Sequence, residues 1–339
     1  MTVDLEPFLS AVPEPVIRRL AAARRVLAVS HENPDADTIG AALAVARLLT
    51  ASGGTADLVC TDPIPPLYGF MPGTDRYRTD PDPDADYDLA VILDCGSLDR
   101  IGEVGARHAA LFERLPRLII DHHASNAAAG EADWIDPAAA ATCEMVTLLS
   151  SRLGVDLAID GGALASNLMA GIVMDTATFA HPNATPRTLV VAAALVSAGA
   201  SLSDISRRLY RSKPDAQLRL FGRVLERLES ADDGRVVWSS LTDADFAETG
   251  SERAYSEGII DLLSQAEAAE VAILFKEAGT STRISVRTRP GGVDATVLTR
   301  RFGGGGHTRA AGATIEAPLA EARPAVLAEA NRLVAGVGR

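Results

Sequence analysis

The sequence predicts an α/β protein with a parallel sheet, because two kinds of segment alternate in its N-terminal part. Short apolar runs typical of buried strands alternate with segments that repeat apolar residues at helical spacing. Such alternation favours a parallel sheet with helices on both faces. Strand-like and helix-like segments recur after a long polar segment, which predicts a second, smaller α+β domain. We therefore predict an N-terminal domain over 1–200, a helical linker over 201–230 and a C-terminal domain over 231–339.

The elements of the first domain follow from apolar patterning. Its predicted strands are Val26–Ser30, Ala56–Cys60, Leu89–Leu93 and Leu118–Ile120. Its clearest helices are Thr38–Leu49 and Ala139–Leu153. Because each strand is almost entirely apolar, we expect both faces of the sheet to be covered.

The elements of the second domain begin after a connector. Ser203–Leu228 is predicted to be one long polar helix that Pro214 can interrupt. The predicted strands beyond it are Arg235–Leu241, Val271–Lys276 and Arg283–Arg287. The predicted helices are Glu257–Ala268, Asp294–Phe302 and Leu319–Val334. Mixed elements of this kind predict an α+β domain.

Composition limits the classes of function. The chain has 339 residues and a formal net charge of −13, which argues against a protein that binds long duplex nucleic acid through its phosphates. A small phosphorylated substrate is compatible with that charge, since bound cations would reverse the sign locally. The three cysteines form no CxxC pair, no apolar run is long enough to span a membrane, and the N-terminus does not resemble a signal peptide. We therefore predict a cytoplasmic protein without a membrane partner.

Carboxylate and imidazole side chains follow three of the predicted strands. They are His31, Asp35, Asp37, Asp94, Asp121, His122 and His123. Because the carboxyl ends of parallel strands meet at one edge of a sheet, we expect these groups to converge. A fourth carboxylate, Asp175, ends an apolar helical run. Many anionic oxygens in one crevice are costly unless cations fill it, so the sequence predicts a site for two divalent metal ions.

Simpler interpretations apply to each residue alone. An aspartate after a strand is usually a turn residue or a helix N-cap, and a His-His pair is usually a solvated strand end. Four of the six histidines nevertheless fall in aspartate- or glycine-rich motifs, which favours a shared site. His108 is predicted to lie on the surface, and the role of His181, near Asp175, stays open. Cys95 and Cys143 are predicted to pack in the core, since oxygen ligands dominate the site.

A run of four glycines, Gly303–Gly306, precedes His307. Glycines allow the backbone to approach a ligand closely and to expose N–H groups to an anion, and we expect His307 to open a helix, where anions bind favourably. Arg287 and Arg289 leave a predicted strand and add positive charge. The alternative is a flexible loop beside a solvated basic face.

Together these motifs resemble the DHH phosphoesterase superfamily. The segments that look like its four motifs are His31–Asp37, Asp94, Asp121–His123 and Met174–Thr176. Gly303–His307, followed by Ala310–Gly312, looks like the hallmark of the associated DHHA1 domain. Spacing and length are most similar to the NrnA-type subgroup, the nanoRNase/pAp phosphatases, some of which also cleave cyclic-di-AMP or pApA.

The resemblance implies a role for each motif residue. The ligands of the first metal would be His31 and Asp35, and those of the second Asp37, His122 and Asp175, with Asp94 bridging the two. Asp121 would orient a neighbouring ligand and His123 would contact the scissile phosphate, and with Asp94 these form the expected catalytic set. The implied substrate-binding residues are Arg287, Gly304, Gly305, Gly306 and His307. The implied cofactors are two divalent ions, Mn²⁺ or alternatively Mg²⁺.

The resemblance also implies the partners, namely small nucleotides, short RNA and a second copy of the chain in a homodimer. Three alternative functions remain: a RecJ-like single-strand exonuclease, an inorganic pyrophosphatase of related fold and a non-catalytic nucleotide sensor. A sensor would have lost ligands, whereas here the full set is present. Ala36 and Ala41 replace the Gly and Ser common in the superfamily, and neither change removes a ligand. The order of preference among pAp, pApA, cyclic-di-AMP and short RNA stays open.

Overall fold

The computed structural model describes residues 3–124, 126, 132–231 and 233–337. The chain divides into two compact units, Met1–Ser212 and Lys213–Arg339. The first unit contains a parallel sheet with helices on both faces, and the second contains a mixed sheet with helices. The predicted fold class is therefore confirmed.

The first unit contains six strands and eight α-helices among the residues described. Its strands are β1 (Arg25–Ser30), β2 (Thr55–Val59), β3 (Tyr77–Arg78), β4 (Leu89–Leu93), β5 (Arg117–Asp121) and β6 (Trp134–Ile135). Its α-helices are α1 (Glu14–Ala22), α2 (Ala36–Ala51), α3 (Glu103–Arg107), α4 (Ala109–Arg114), α5 (Thr142–Arg152), α6 (Ile159–Asp175), α7 (Pro186–Ser197) and α8 (Leu202–Tyr210). Among the described helices, none alone is long and apolar enough to cross a membrane, and only α7 and α8, bent by 109° to each other, meet that test as a pair.

The topology of the first sheet creates a crevice at its centre. The strands are parallel and lie in the order β3-β2-β1-β4-β5-β6. The chain runs outward from β1 to one edge and from β4 to the other, so the order reverses between these two neighbours. Ligand sites of open α/β sheets form at the carboxyl ends of strands beside such a reversal. The residues after β1 and β4 therefore lie where a site is expected.

Both faces of this sheet are buried. Ala28 and Val91 point to the core shared with α2, α5 and α6, whereas Leu27 and Ile92 point to a smaller core with Val104 of α3. Alternate residues of one strand point to opposite faces, which explains why the strands are apolar throughout.

Two glycines let three helices approach one another beside the crevice. A Cβ on Gly40 of α2 would lie 2.4 Å from the carbonyl oxygen of Asn167 in α6. A Cβ on Gly171 of α6 would lie 2.4 Å from Cys143 Sγ and 2.5 Å from Asp37 Oδ1. These distances are far below van der Waals contact, so the packing of α2, α5 and α6 requires glycine at both positions.

The second unit is a six-stranded mixed sheet among the residues described. Its strands are β7 (Glu229–Ala231), β8 (Val236–Leu241), β9 (Val271–Ala278), β10 (Ser281–Thr288), β11 (Gly305–His307) and β12 (Ala310–Ile315), in the spatial order β11-β12-β10-β9-β8-β7. Its α-helices are α9 (Asp215–Glu226), α10 (Asp243–Thr249), α11 (Ile259–Leu263), α12 (Ala295–Arg300) and α13 (Leu319–Val337). The β8–β9 pair is parallel and the other pairs are antiparallel.

The segment predicted as one long helix contains a break. It forms α8 and α9, and Pro214 is the N-cap residue of α9. A helix that precedes a proline cannot continue through it, because proline has no backbone N–H to donate and its ring clashes with the preceding turn. α9 is amphipathic rather than wholly polar, since Leu220, Phe221 and Val224 are buried in a core of the second unit.

Candidate metal centre

The turn between β1 and α2 carries the first group of candidate ligands. His31 is buried, and its Nδ1 lies 2.7 Å from the carbonyl oxygen of Glu32. Asp35 is the N-cap of α2, because its Oδ1 accepts the backbone N–H of Asp37 at 2.9 Å. Its other oxygen, Oδ2, lies 3.7 Å from His31 Nε2. Asp35 therefore caps the helix and also faces His31 across the crevice.

Asp94 occupies the centre of the cluster, directly after β4. It is buried and adopts a φ of +57°, in the left-handed region that non-glycine residues rarely enter. Its Oδ2 lies 3.6 Å from His31 Nε2, whereas its Oδ1 lies 3.4 Å from His122 Nε2. The two oxygens of one carboxylate thus face two different histidines, as a carboxylate that bridges two cations would. Strained backbone of this kind is often found at functional sites.

A second group lies on the other side of Asp94. His122 follows β5, and its Nε2 lies 3.1 Å from Oδ2 of Asp175 at the end of α6. Asp37, which is fully buried, completes the group. The potential ligand atoms of Asp37, His122 and Asp175 lie within 4.8 Å of one another. The same limit holds for His31, Asp35 and Asp94, and also for Asp94, His122 and His123.

His123 lies between Asp94 and Asp121, and its Nδ1 is 3.6 Å from Asp94 Oδ1. Its Nδ1 lies 2.7 Å from Oδ1 of the buried Asp121. Asn126 donates from Nδ2 to Asp121 Oδ2 at 2.7 Å and to the carbonyl oxygen of Cys95 at 3.0 Å. Asn126 escaped the sequence analysis, although its place three residues after His123 could have signalled a turn that returns to Asp121.

Mutual charge perturbs the protonation of the cluster. Burial acts to lower the pKa of His31, but Asp35 and Asp94 outweigh it and raise the pKa to about 10. Burial likewise opposes protonation of His122, yet Asp175 and Asp94 raise its pKa to about 12. Without cations, both imidazoles are therefore held in the charged form by the surrounding carboxylates.

The pKa values of the carboxylates shift in opposite directions. Burial, followed by the charges of Asp94 and Asp175, raises the pKa of Asp37 well above its usual value. Burial and the nearby charge of Asp94 outweigh the hydrogen bond to His122 and raise the pKa of Asp175 to about 6. For Asp94, burial is outweighed by His122 and His31, which hold its pKa below the ordinary range. Burial, with mutual repulsion added, thus raises the pKa of Asp37 and Asp175, whereas the two histidines lower the pKa of Asp94.

The donor set suits hard divalent cations. Carboxylate oxygens and imidazole nitrogens bind Mg²⁺, Mn²⁺ and related ions, whereas Cys95 and Cys143 point their sulfurs at backbone oxygens at 3.0 Å and 3.3 Å. Positive ions would offset both the burial and the repulsion that raise the pKa of Asp37 and Asp175. The residues present therefore fit a divalent metal centre.

The histidines outside this cluster have other surroundings. His108 lies between α3 and α4, partly exposed, with Nε2 at 2.8 Å from Asp80 Oδ1, as expected for a surface residue. His181 is exposed, and its Nδ1 lies 3.2 Å from the backbone oxygen of Asp175. The prediction that His307 opens a helix is wrong, because His307 is the last residue of β11.

The glycine run has a packing role that explains this difference. Thr308 and Arg309 join β11 to β12 in a tight hairpin, with His307 paired to Ala310. A Cβ on Gly304 would lie 2.1 Å from the carbonyl oxygen of Gly312, and one on Gly306 would lie 2.6 Å from that of Ala310. Glycine at these two positions lets the chain approach β12 closely. Gly305 has no atom within 4 Å of its would-be Cβ and has no such requirement.

Register places two predicted substrate-binding residues in one row of the second sheet. Ala310 of β12 is paired with Arg287 of β10 on one side and with His307 of β11 on the other. Directly opposed residues in antiparallel strands point to the same face. Arg287 also donates from Nε to Asp261 Oδ1 at 2.9 Å.

A cavity of about 400 Å³ lies further along the same sheet. Lys276 and Arg283, which are paired across β9 and β10, contribute its two charges. Gly304 contributes to the lining, whereas Gly305, Gly306, His307 and Arg287 do not. No carboxylate is found among the described residues that line it, so the cavity has a positive character.

Comparison with known proteins agrees with this geometry. Residues 25–173 match the DHH family, N-terminal domain, and residues 234–336 match the DHHA1 domain. The chain is 32% identical to the bifunctional oligoribonuclease and PAP phosphatase NrnA of Thermus thermophilus, over 85% of this chain and 83% of that protein. It is 26% identical to the protein of the same name from Bacillus subtilis, over 88% and 92% of the two chains.

A solved structure gives an independent view of the fold. The exopolyphosphatase-related protein from Bacteroides fragilis superposes with a TM-score of 0.85 at 23% identity, over 99% of this chain and 97% of that one. The carboxylates and histidines clustered beside the parallel sheet, together with the two family matches, define a phosphoesterase whose residues fit a divalent metal centre. The chain belongs to the DHH family of phosphoesterases, in the NrnA-type group in which a DHHA1 domain follows the DHH domain.

Proposed function

We propose that the protein hydrolyses phosphate esters of small nucleotides, with short oligoribonucleotides and pAp as its substrates and pApA and cyclic-di-AMP as further candidates. One observation carries the proposal: the two oxygens of Asp94 face two separate groups of ligands. The names of the NrnA relatives supply the substrate class. A RecJ-like exonuclease is the alternative with related chemistry.

Two divalent cations are the proposed cofactors, with Mn²⁺ preferred over Mg²⁺. His31 and Asp35 would hold one, Asp37, His122 and Asp175 the other, and Asp94 would bridge them. When bound, such ions stabilise negative charge on phosphoryl oxygens and lower the pKa of water. The chain's own contribution is to hold four carboxylates and two imidazoles close together in a largely buried crevice.

His123 is the proposed proton donor to the leaving oxygen. Since the Asp121 carboxylate can only accept, His123 donates through Nδ1, and its Nε2 is left for the substrate. The hydrogen bond to Asp121 is the largest contribution that raises the pKa of His123, which favours the protonated form that a general acid needs. Asp121, held by Asn126, is therefore proposed to orient His123 rather than to bind a cation.

The second domain is proposed to bind the part of the nucleotide that does not react. Arg287 and His307 lie in one row of its sheet, and Gly304, Gly305 and Gly306 complete the predicted set. Arg287 offers the charge-assisted, planar contact that phosphate groups favour. The positive cavity that contains Lys276 and Arg283 adds charge of the same sign. We also propose a homodimer in the cytoplasm, by analogy with the subgroup that the sequence resembles.

The test is hydrolysis of pAp, pApA, cyclic-di-AMP and a short RNA under matched conditions with Mn²⁺ and with Mg²⁺. We expect turnover of at least the first or the last, abolished by EDTA and restored by Mn²⁺. Full activity in the chelator would refute the metal-dependent proposal. Degradation of long single strands in preference to these substrates would favour the exonuclease, and binding without turnover would favour a sensor.

A matched pair of histidine variants separates chemistry from folding. His123→Ala should lower kcat by about 10²- to 10⁴-fold, the usual contribution of general acid–base catalysis. His108→Ala, on the surface of the same unit, should leave kcat unchanged. Equal activity of the two variants would contradict the role given to His123.

A further inference from the structure

Thr142, the first residue of α5, contacts two carboxylates of the metal centre. It is fully buried, and its hydroxyl donates to Asp94 Oδ1 at 3.0 Å. Its backbone N–H donates to Asp37 Oδ2 at 2.6 Å, and the next N–H, of Cys143, donates to Asp37 Oδ1 at 2.8 Å. No motif in the sequence drew attention to this residue.

These contacts tie together carboxylates from separate elements. Asp37 lies in the first turn of α2, and Asp94 follows β4. Both oxygens of Asp37 accept from the first N–H groups of α5, where the helix favours negative charge. The oxygen of Asp94 that Thr142 contacts is Oδ1, which faces His122, and not Oδ2, which faces His31.

The start of α5 is itself held in place by buried contacts. Glu144, one residue beyond Cys143, is fully buried and accepts the backbone N–H of Ala140 at 3.2 Å and the hydroxyl of Thr188 at 2.7 Å. Its other oxygen pairs with Arg187 Nε at 2.5 Å. The Thr142 hydroxyl that contacts Asp94 therefore lies in a segment anchored by buried hydrogen bonds and an ion pair.

We propose that Thr142 is a positioning residue that assembles the group of ligands formed by Asp37, Asp94, His122 and Asp175. Its hydroxyl holds the side chain of Asp94 with Oδ1 toward this group. Its backbone N–H holds the carboxylate of Asp37 beside that of Asp94. Donors that hold metal ligands typically change affinity or activity by about 10- to 100-fold when they are removed. The inference rests on the proposed two-cation function and adds the residue that sets the geometry of one of the two subsites.

Three variants of the full-length protein test the proposal. Thr142→Val keeps the size and the backbone N–H but removes the hydroxyl, and Thr142→Ser keeps the hydroxyl. Thr147→Val is the matched control, since Thr147 is also fully buried in α5 and its hydroxyl donates within the helix to the Cys143 carbonyl at 2.7 Å. The measurements are Mn²⁺ binding to the metal-free proteins, by calorimetry and by the electron paramagnetic resonance signal of a coupled Mn²⁺ pair, together with the Tm of each metal-free protein.

We expect Thr142→Val to bind one Mn²⁺ as the wild type does and the other about 10- to 100-fold more weakly, with loss of the coupled signal. Thr142→Ser should restore both, and Thr147→Val should bind both normally whatever its Tm. Wild-type binding by Thr142→Val, or equal weakening in Thr147→Val, would overturn the inference while leaving the two-cation proposal intact. A wild type that binds fewer than two Mn²⁺ would overturn the proposed function and this inference with it.

Discussion

Replacement of Asp94 by asparagine tests whether this one carboxylate serves both groups of ligands. Asparagine keeps the shape of the side chain and an oxygen that can accept the Thr142 hydroxyl, but it removes the negative charge. Asp94 faces both His31 and His122, so the change affects both subsites at once. Loss of a group that only holds a metal ligand typically lowers affinity or activity by about 10- to 100-fold. If the change at Asp94 has this effect at each of the two subsites, the rate should fall by about 10²- to 10⁴-fold in total.

The assay is kcat for pAp hydrolysis at saturating Mn²⁺, with Asp99→Asn as control. Asp99 is exposed in the short 3₁₀ helix Leu98–Ile101, and its variant should keep the wild-type rate. Circular dichroism should show that both variants are folded. If Asp94→Asn, or the harsher Asp94→Ala, retains more than about a tenth of the wild-type rate, a barrier change under ~1.4 kcal/mol, then Asp94 does not bridge two cations.

Three further predictions follow from other parts of the structure. Arg287→Ala should lower kcat/KM for pAp by about 10- to 150-fold, which corresponds to the roughly 1.5–3 kcal/mol of a charge-assisted contact. Hydrolysis of bis-p-nitrophenyl phosphate should be unchanged, and kinetics on both substrates will show the difference. Gly171→Ala should destabilise the fold by about 1–3 kcal/mol in urea unfolding, because its Cβ would overlap Asp37 Oδ1. Because the pKa values of His31 and His122 are raised to about 10 and about 12, both are protonated at pH 7 and must lose their protons to bind cations. Mn²⁺ affinity should therefore rise with pH, and calorimetry in buffers of different ionisation enthalpy should detect the released protons.

Two of these predictions have a control variant in the same protein, and the third has an outcome that would contradict it. Arg289→Ala removes a neighbouring exposed arginine and should affect pAp less than Arg287→Ala does, whereas equal losses on both esters would assign Arg287 to the fold. Gly222→Ala adds a Cβ in α9 that meets no atom within 4 Å and should not destabilise the protein. Mn²⁺ affinity that is independent of pH would show that His31 and His122 do not coordinate.

Local sequence was sufficient to locate much of the first domain. Strands such as Leu89–Leu93 are continuous apolar runs, and β4 has those same bounds. Parallel strands bring their carboxyl ends to one edge, so the proximity of His31 and Asp94 was expected once a parallel sheet was predicted. The position of Asp175 at the end of a helix was visible from the apolar run that precedes it.

Features that depend on contacts distant in sequence were not predictable in this way. Thr142 meets Asp37 across 105 residues, and nothing near it in the sequence marks that contact. The glycines before His307 suggested an anion-binding helix start, but the approach of β11 to β12 decided the local structure. The break before α9 is marked by Pro214, whereas the burial of Phe221 depends on a core that only the folded second unit provides.

The number and position of bound cations can be read directly from an anomalous-diffraction map of crystals of the full chain soaked in Mn²⁺. We predict two peaks on opposite sides of Asp94, about 3.5–4 Å apart as is typical of two-metal sites. One should contact His31 and Asp35, and the other His122 and Asp175. A single peak, or peaks that do not share Asp94, would contradict the two-cation centre.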